Sequence, residues 1–461
     1  MIRNALTRLG SALGAFVRSA DPRRLARDRR GNVMMIFAFS VVPITFATGM
    51  GIDYGSAMRL QTKFRAAADA AALAATSQQL LDWSTSDAKL AAVTLFKQQT
   101  QNTAGVTIDY NNTAQFDVQV TDTAGTSNVR TATVTFRAQS KNSFAGVLGV
   151  STLTIKGTST ATASTAPNID FYVLLDSSGS MALPSTSAGL NQLTGLTGGC
   201  AFACHSNNDE TARNKSGKLS DYYGVATSYG IPLRFDEAKK AIQSMMTVAT
   251  STSAANGATY RAWVASFAAA SSNANNSYTV LASLNSNLST VSTKAGTAQT
   301  SLYEKNNCPT TSFCNNDTDT ATSDAFDRVN ATMPTPGDGK RISGHTPQQI
   351  LFVITDGMRD ESRPNSKPEV AIDTAKCDTI KTKGTRIAIL YTEYLPETVQ
   401  NNAWSTDVNQ GNVLNRIPLI EPALQQCAST GLYYKVSTDD DISAALNSLF
   451  QKAVSSSRLT Q

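Results

Sequence analysis

FYVLLDSSGSM, Phe171 to Met181, is an apolar run that stops at one aspartate and continues at once into serines and a glycine. Its first half has the continuous apolar character of a strand that is buried on both faces. Such strands belong to sheets that are covered by helices on both sides, and these sheets bind ligands at the carboxyl ends of their strands. Asp176 therefore stands where a binding site is expected.

The sequence after Ile169 repeats this pattern of buried strands and amphipathic helices. Further strands are predicted at YRAWVASFA, QQILFVITDG, TRIAILYTEY and LYYKVS, and helices at RFDEAKKAIQSMMTVAT and DDISAALNSLFQKAVSS. The alternation predicts an α/β domain over residues 166–461 with a largely parallel, doubly wound sheet. Two long polar stretches, 182–232 and 285–319, interrupt it, and we expect ordered excursions there at the rim of the site.

Oxygen-bearing side chains follow two of these strands. Ser178 and Ser180 lie two and four residues after Asp176, so an extended loop directs three oxygen ligands toward one point. Asp356 ends the strand FVITDG in the same way. Carboxylate and hydroxyl oxygens are hard ligands that suit Mg²⁺ or Ca²⁺. The sequence predicts a divalent-cation site, and an ordinary turn of Asp and Ser residues is the alternative.

The same residues carry a resemblance to a known family. DSSGSM resembles the D-x-S-x-S metal-site motif of von Willebrand factor A domains, and FVITDG resembles the strand that supplies their later aspartate. The resemblance implies a divalent cation, Mg²⁺ by default and otherwise Ca²⁺ or Mn²⁺, whose open position takes a carboxylate from a protein partner. The ligands that it implies, besides a threonine, are Asp176, Ser178, Ser180 and Asp356.

The threonine ligand comes from a middle loop in that family. NDTDTATSDAFDRV offers Thr318, Thr320 and Thr322. The family's spacing to a bulky apolar helix residue points to Thr320, with Phe326 in that place. Thr318 remains the alternative, because Asp319 stands where the family often has glycine.

An uncharged stretch near the N-terminus is the strongest physical signal. VMMIFAFSVVPITFATGMGI, Val33 to Ile52, has the length needed to cross a bilayer core of about 30 Å. Arginines crowd the sequence before residue 31, which predicts a cytoplasmic N-terminus. A cleaved signal peptide is the alternative, but its apolar core is usually only about 7 to 15 residues long.

We therefore expect a single-pass protein of the bacterial inner membrane. A basic cytoplasmic segment, 1–31, precedes a transmembrane helix at 32–53, and the bulk of the chain is periplasmic or surface-exposed. The alanine-rich segment 54–104 predicts a helical stalk, and the alternating, Val- and Thr-rich segment 105–165 predicts a small β-rich module. Beyond the first thirty residues the charge is nearly balanced, so we expect no nucleic-acid partner.

The N-terminal part also resembles a specific family. The R-G-N-V entry to the span, its G-x-D-x-G exit and the following LQTKFRAAADAAALAA helix are similar to Tad (tight adherence, Flp pilus) assembly proteins of the TadG type. Those proteins carry a strand-rich segment and a C-terminal von Willebrand A-like domain, so the resemblance runs through the whole chain. Pilin-like relatives have a glutamate five residues after the processing glycine, whereas Ile36 follows Gly31 at that distance. Cleavage as a pilin is not expected.

The six cysteines lie in the part that is expected outside the cytoplasm, where disulfides persist. Six cysteines allow 15 pairings. We favour the neighbouring pairs Cys200/Cys204, Cys308/Cys314 and Cys377/Cys427. CAFACH departs from the haem-attachment motif C-x-x-C-H by one extra residue between the cysteines, so a local disulfide is favoured over haem, and zinc is less favoured still.

Nothing in the sequence indicates catalysis. His205 and His345 are the only histidines, neither has the context of a nucleophile relay, and no phosphate-binding glycine motif occurs. The chain is predicted not to be an enzyme. We expect a metal-dependent binding protein that contributes to assembly or anchoring of a Tad/Flp-type pilus through a pilus or envelope partner. The alternative is a surface adhesin that binds external ligands and has no role in pilus assembly.

Overall fold

The computed structural model describes residues 31–77, 79–123, 128–201, 212–268, 278–300, 320–361, 369–400, 406–408 and 412–455. They form two compact units. The first unit comprises residues up to Leu80 together with Thr85–Thr121 and Thr131–Thr162, and the second comprises Leu81–Ser84, Asp122–Arg130 and the residues from Ala163 onward. The prediction of a mixed α/β chain with a long N-terminal apolar helix is confirmed.

The first unit begins with one continuous helix, α1 (Gly31–Ala75), which contains Pro43. A second helix, α2 (Thr85–Thr100), packs against it. The predicted boundary at residue 53 does not interrupt α1, because the alanine-rich sequence that follows favours helix strongly. Among the described residues, α1 is the one helix long and apolar enough to cross a membrane, and the side chains of its apolar N-terminal half are mostly exposed.

The strands of the first unit form a four-stranded sheet in which the third strand pairs with each of the others. They are β1 (Val106–Thr107), β2 (Phe116–Thr123), β3 (Asn128–Lys141) and β4 (Thr152–Thr165). Alternate side chains of β3 are buried, as the period-two sequence pattern predicts. β4 extends to Thr165 and the next strand begins at Ile169, so residues 166–168 alone connect the two strands.

Helices and strands of this unit share one core. Its aromatic centre contains Phe64 of α1, Phe96 of α2, and Phe116 and Phe136 of the sheet, with the Phe96 and Phe116 rings stacked at 4.6 Å. Alanines on the buried face of α1 allow this close approach. The sequence divides a helical stalk at 54–104 from a β-rich module at 105–165, whereas the structure packs the two segments together.

The second unit contains a six-stranded sheet. Its elements are, in chain order, β5 (Ile169–Asp176), α3 (Ser187–Leu196), β6 (Ala212–Arg213), β7 (Leu219–Ser220), α4 (Tyr222–Tyr229), α5 (Arg234–Asn256), β8 (Tyr260–Phe267), β9 (Tyr278–Asn285), α6 (Leu288–Ala295), α7 (Thr322–Thr332), β10 (Gln348–Thr355), β11 (Met358–Asp360), β12 (Glu369–Ala371), α8 (Thr374–Thr382), β13 (Arg386–Thr392), α9 (Val413–Cys427), β14 (Tyr433–Val436) and α10 (Ile442–Ser455). The sheet order is β14-β13-β10-β5-β8-β9. Neighbours pair in parallel except the edge strand β9, which is antiparallel to β8.

The central strand β5 is buried along its whole length. Phe171, Val173 and Leu175 join one core, to which α5, α6 and α10 contribute. Tyr172 and Leu174 join the core on the opposite face, to which α7, α8 and α9 contribute. Helices thus cover both faces, which explains why the strand sequences are apolar without alternation.

The polar stretch 182–232 contains α3 and α4 among its described residues, and 285–319 contains α6. Their serine- and threonine-rich sequences have only modest helix propensity. Scattered apolar residues nevertheless stabilise them by packing, as Leu193 and Val225 do in a small separate cluster. Residues 202–211 and 301–319 of these stretches lie outside the described residues, so the expectation of ordered excursions at the rim of the site stays a prediction.

Candidate functional site

The central strand delivers Asp176 to the carboxyl edge of the six-stranded sheet. The next residue, Ser177, fastens the departing loop to β8, because its backbone N–H and its hydroxyl both donate to the carbonyl of Phe267, at 2.8 and 3.0 Å. A short 3₁₀ helix, Gly179–Ala182, follows. The loop is therefore held against the neighbouring strand while it carries the serines away from the strand end.

The carboxylate of Asp176 is fully buried and organises its surroundings. Its Oδ1 accepts a hydrogen bond from the Ser178 N–H at 3.0 Å, and its Oδ2 accepts one from the Thr355 hydroxyl at 2.6 Å. The hydroxyl oxygens of Ser178 and Ser180 lie 3.1 Å apart. The structure thus brings the first three predicted ligands together at one strand end.

Asp356 follows the neighbouring strand β10 and is buried as well. Its Oδ1 accepts a hydrogen bond from the Met358 N–H at 3.2 Å, whereas its Oδ2 has no hydrogen-bond partner among the described residues. Within the same described part of the chain, neither Asp356 nor Asp176 forms an ion pair. One buried carboxylate oxygen is left unsatisfied, which is costly unless a ligand contacts it.

Gly357 is required directly after this aspartate. Its φ of +76° lies in the left-handed region, and a Cβ there would come within 2.5 Å of the Ile420 side chain. Glycine lets the chain turn away from β10 while α9 packs closely beside it. The aspartate-glycine pair of FVITDG therefore has a steric reason as well as a chemical one.

The electrostatics of the two carboxylates are coupled. Burial raises the pKa of Asp176, against the opposing hydrogen bonds from Ser178 and Thr355. Burial is the main cause that raises the pKa of Asp356 to about 7, and the charge of Asp176 is the second. The Ser180 hydroxyl and the charge of Arg234 act in the opposite direction and lower this pKa. Two buried carboxylates at one strand edge thus lack sufficient positive charge, and a bound cation would supply it.

Thr320 is buried and lies in a backbone bridge with Asp360, with N–H to carbonyl distances of 3.3 and 3.1 Å. The bridge ties the segment before α7 to β11, four residues after Asp356. The Thr322 hydroxyl is buried and has no partner among the described residues. Thr318, the alternative ligand, lies outside them. The choice of threonine stays a prediction.

Two residues near the site were not singled out from the sequence. The Thr355 hydroxyl donates a hydrogen bond to Asp176. The sequence signal for Thr355 is its place as a polar residue at the last position of an apolar strand. Arg234 is buried at the start of α5, where it donates hydrogen bonds to the Glu393 carbonyl and, at 3.4 Å, to the Thr438 hydroxyl. Nothing in its sequence context distinguishes it from a surface arginine.

The donor set at this edge suits a hard cation. No cluster of three or more His, Cys, Asp or Glu side chains that could hold a metal occurs in the described residues. Two carboxylates with hydroxyls supply oxygen alone, which fits Mg²⁺ or Ca²⁺. The unsatisfied Asp356 Oδ2 is consistent with a cation at this position.

One predicted disulfide is confirmed. Cys377 and Cys427 are bonded, with their Cα atoms 5.2 Å apart, and the bond joins α8 to α9. Cys200 is described, whereas Cys204, Cys308, Cys314 and His205 lie outside the described residues, so the other two pairs stay predictions. His345 is half-exposed, and its Nδ1 lies 3.0 Å from the Asp338 carboxylate.

Comparison with known proteins gives one family match. Residues 31–78 match the model of the putative Flp pilus-assembly TadE/G-like family. No curated protein matches the chain. The match covers α1 and the few residues that follow it.

Several solved structures show a weak similarity. The pilus adhesin SpaC from Lactobacillus rhamnosus GG is 10% identical with a TM-score of 0.36, and the alignment covers 74% of this chain and 34% of SpaC. The PilB minor pilin from Streptococcus sanguinis is 10% identical with a TM-score of 0.33, over 75% of this chain and 79% of PilB.

Proximal thread matrix protein 1 from the mussel byssus is 10% identical with a TM-score of 0.32, over 63% of this chain and 49% of that protein. This chain thus spans about a third of SpaC and half of the byssus protein. Similarities at this level do not by themselves indicate a shared function. The family match is the specific finding, and it concerns the similarity of residues 31–78 to the Flp pilus-assembly TadE/G-like model.

Proposed function

We propose that this protein is anchored in the bacterial inner membrane and contributes to assembly or anchoring of a Tad/Flp-type pilus. The match of residues 31–78 to the pilus-assembly family supports the pilus role. The exposed apolar half of α1 supports the anchor, since its length and composition suffice for a bilayer.

The second unit is, in this proposal, a von Willebrand factor A-like domain that binds its partner through a divalent cation. Support comes from the sheet order, with its single antiparallel edge strand, and from helices on both faces. Further support comes from the position of Asp176 and Asp356, which follow two adjacent parallel strands at the sheet's carboxyl edge.

The observation that carries the cation proposal is the buried carboxylate pair with one unsatisfied oxygen, Asp356 Oδ2. Mg²⁺ would be held by Asp176, Asp356 and the hydroxyls of Ser178 and Ser180, with Thr320 or Thr318 as a further ligand. The bound cation would offer an open coordination position to a carboxylate on a pilus or envelope protein. The protein's own residues fix the positions of these oxygens, since all but Ser180 of the four are buried.

Orientation follows from the charges around the span and from the disulfide. Arginines before residue 31 favour a cytoplasmic N-terminus, and the Cys377–Cys427 bond favours an oxidising compartment for the second unit. A reporter that is active only in the cytoplasm, fused after residue 60, should be inactive. Activity of that fusion would contradict the orientation.

Binding rather than catalysis fits the way in which Asp176 is held. The Thr355 hydroxyl and the Ser178 N–H donate hydrogen bonds to its two oxygens. Among the described residues, no histidine forms a hydrogen bond with Asp176. The proposal therefore assigns no turnover to the chain. An enzymatic activity that is lost in Asp176→Ala would contradict it.

A pull-down from solubilised membranes with the full-length protein tests the cation-dependent binding. Asp176→Ala should lose the partners that the wild type retains in Mg²⁺ and releases in chelator. Asp378→Ala, the same substitution on an exposed face of α8, should retain them. Circular dichroism establishes that both variants fold. Partner retention that is unchanged by chelation would refute the cation mechanism.

Deletion of the gene tests the pilus role separately. Pili should be absent or detached from the cell in the deletion strain and should be restored by the wild-type gene. Normal pili together with reduced attachment to surfaces would contradict the assembly role and favour an adhesin.

A further inference from the structure

A loop of the first unit presents apolar side chains outward. Residues 144–150, the apolar loop, connect β3 to β4 and include the 3₁₀ helix Ala145–Leu148. Phe144, Val147, Leu148 and Val150 are 40, 75, 54 and 51% exposed, respectively. Such a cluster in water costs free energy and marks a surface that contacts something apolar.

The apolar loop is fastened to α1 by one carboxylate. Asp53 accepts hydrogen bonds from three successive backbone N–H groups, those of Ser143, Phe144 and Ala145, at 2.9, 2.8 and 2.7 Å. The side chain of Asp53 is thereby buried. Charge-assisted bonds of this kind are among the stronger ones, so the loop has a defined position on the helix.

That position lies beside the last turns of the apolar helix segment. Phe144 closes a groove whose other walls are Ile44, Thr45, Thr48, Gly49 and Ile52. A Cβ on Gly49 would approach the Phe144 ring to 2.5 Å, so the absence of a side chain there admits the ring. The apolar loop thus lies at the level of residues 44–53 of α1.

The helix surface at this level is itself suited to lipid. The hydroxyls of Thr45 and Thr48 donate to the carbonyls of Val41 and Ile44, at 2.7 and 2.8 Å, so neither needs water. Ile52 and Tyr54 are exposed on the same stretch, and tyrosine is enriched where a membrane meets water.

The chain around the apolar loop lacks charge. No Asp, Glu, Lys or Arg occurs between Lys141 and Lys156, and both lysines are exposed. Long basic side chains at the two ends of an uncharged segment reach the headgroup layer while the segment between them is immersed.

We propose that the apolar loop inserts into the outer interfacial layer of the membrane, as a second contact beside the α1 span. This inference depends on the membrane anchor proposed above and goes beyond it. If residues 33–52 cross the bilayer, the hydrogen bonds from the apolar loop to Asp53 hold residues 144–150 at the lipid surface. Lipid is favoured over a protein partner because the exposed face is continuous with the helix surface and is flanked by lysines.

Fluorescence quenching in nanodiscs that contain brominated lipids tests the inference. The full-length protein carries one added tryptophan at a time: Leu148→Trp in the apolar loop, Phe39→Trp in the span, or Gln119→Trp as the control. Gln119 is exposed on β2. It lies four residues after Gln115, whose carbonyl oxygen accepts a hydrogen bond from the Arg137 N–H. The signal of the unsubstituted chain is subtracted.

Loss of fluorescence at positions 39 and 148, with none at 119, would support the inference. Loss of fluorescence at position 39 alone would support the membrane anchor but overturn the contact between the apolar loop and lipid. It would indicate that protein or water covers residues 144–150. No loss at 39 would overturn the anchor and the loop contact together. Equal loss at 148 and 119 would overturn a specific loop contact, since the whole module would then lie on the membrane.

Discussion

Asp356→Asn should stabilise the cation-free protein at alkaline pH. Folding raises the pKa of Asp356 from its ordinary value of 3.8 to about 7, because the carboxylate is buried beside Asp176. Because the pKa is higher in the folded state, ionisation of this carboxyl group destabilises the folded protein at pH values above the ordinary pKa. The cost is complete above about pH 7 and absent below about pH 4. The neutral amide removes it, and its oxygen can keep the Met358 N–H bond.

The magnitude follows from the same pKa change. At about 1.4 kcal/mol per pH unit, the change corresponds to at most about 4 kcal/mol. The coupled aspartates share this cost, so we expect a gain of about 1 to 3 kcal/mol, or several degrees in Tm. Thermal unfolding of the full-length protein in chelator measures this gain at about pH 8 and at about pH 4, where the difference should nearly vanish.

Mg²⁺ should cancel or reverse the stability difference between the wild type and Asp356→Asn. A cation that binds only the folded state stabilises it by about 2.7 kcal/mol at one hundred times its dissociation constant. The wild type should gain this stability and Asp356→Asn should gain much less. Asp378→Asn on the exposed face of α8 is the matched control and should follow the wild type. A destabilised Asp356→Asn in chelator, or equal gains from Mg²⁺, would refute the reasoning.

Three further predictions concern the cation, the disulfide and the loop contact. Apparent Mg²⁺ affinity, measured by calorimetry, should fall as pH is lowered from about 8 to about 6, since the raised carboxyl pKa values make protons compete with the cation; a flat profile would argue against these ligands. Replacing both Cys377 and Cys427 by alanine should cost about 4 kcal/mol of unfolding free energy for a separation of 50 residues, and an unchanged denaturation midpoint would contradict this. Gly49→Ala should displace Phe144 and increase protease cleavage at residues 144–150, whereas Gly51→Ala, which has nothing within 4 Å, should not; equal cleavage would exclude the packing argument.

The strands of the second unit were predictable because each is a continuous apolar run with a polar end. The register between strands was not, and the role of Thr355 depends on it. Leu175 pairs with Ile354, so the next residues, Asp176 and Thr355, become neighbours. A sequence without an alignment cannot show which two strand ends lie side by side.

The contact between Asp53 and residues 143–145 was out of reach for a related reason. Its partners are 90 or more positions apart, and they are backbone groups, which have no signature in the side-chain pattern. The shared core of α1, α2 and the small sheet was not predicted. An alanine-rich segment indicates a helix and an alternating segment indicates a strand, but neither pattern shows that the two pack against each other. Composition indicates what a segment can form but not which surface it covers.

The continuous α1 has a mechanical consequence. Its 45 residues make a rod of about 68 Å that contributes both the proposed span and a wall of the first unit's core. α1 is continuous from Pro43 within the span to Ala75, so a change in the tilt of residues 44–52 turns the first unit through the same angle. A force applied to that unit would likewise act on the membrane as a lever.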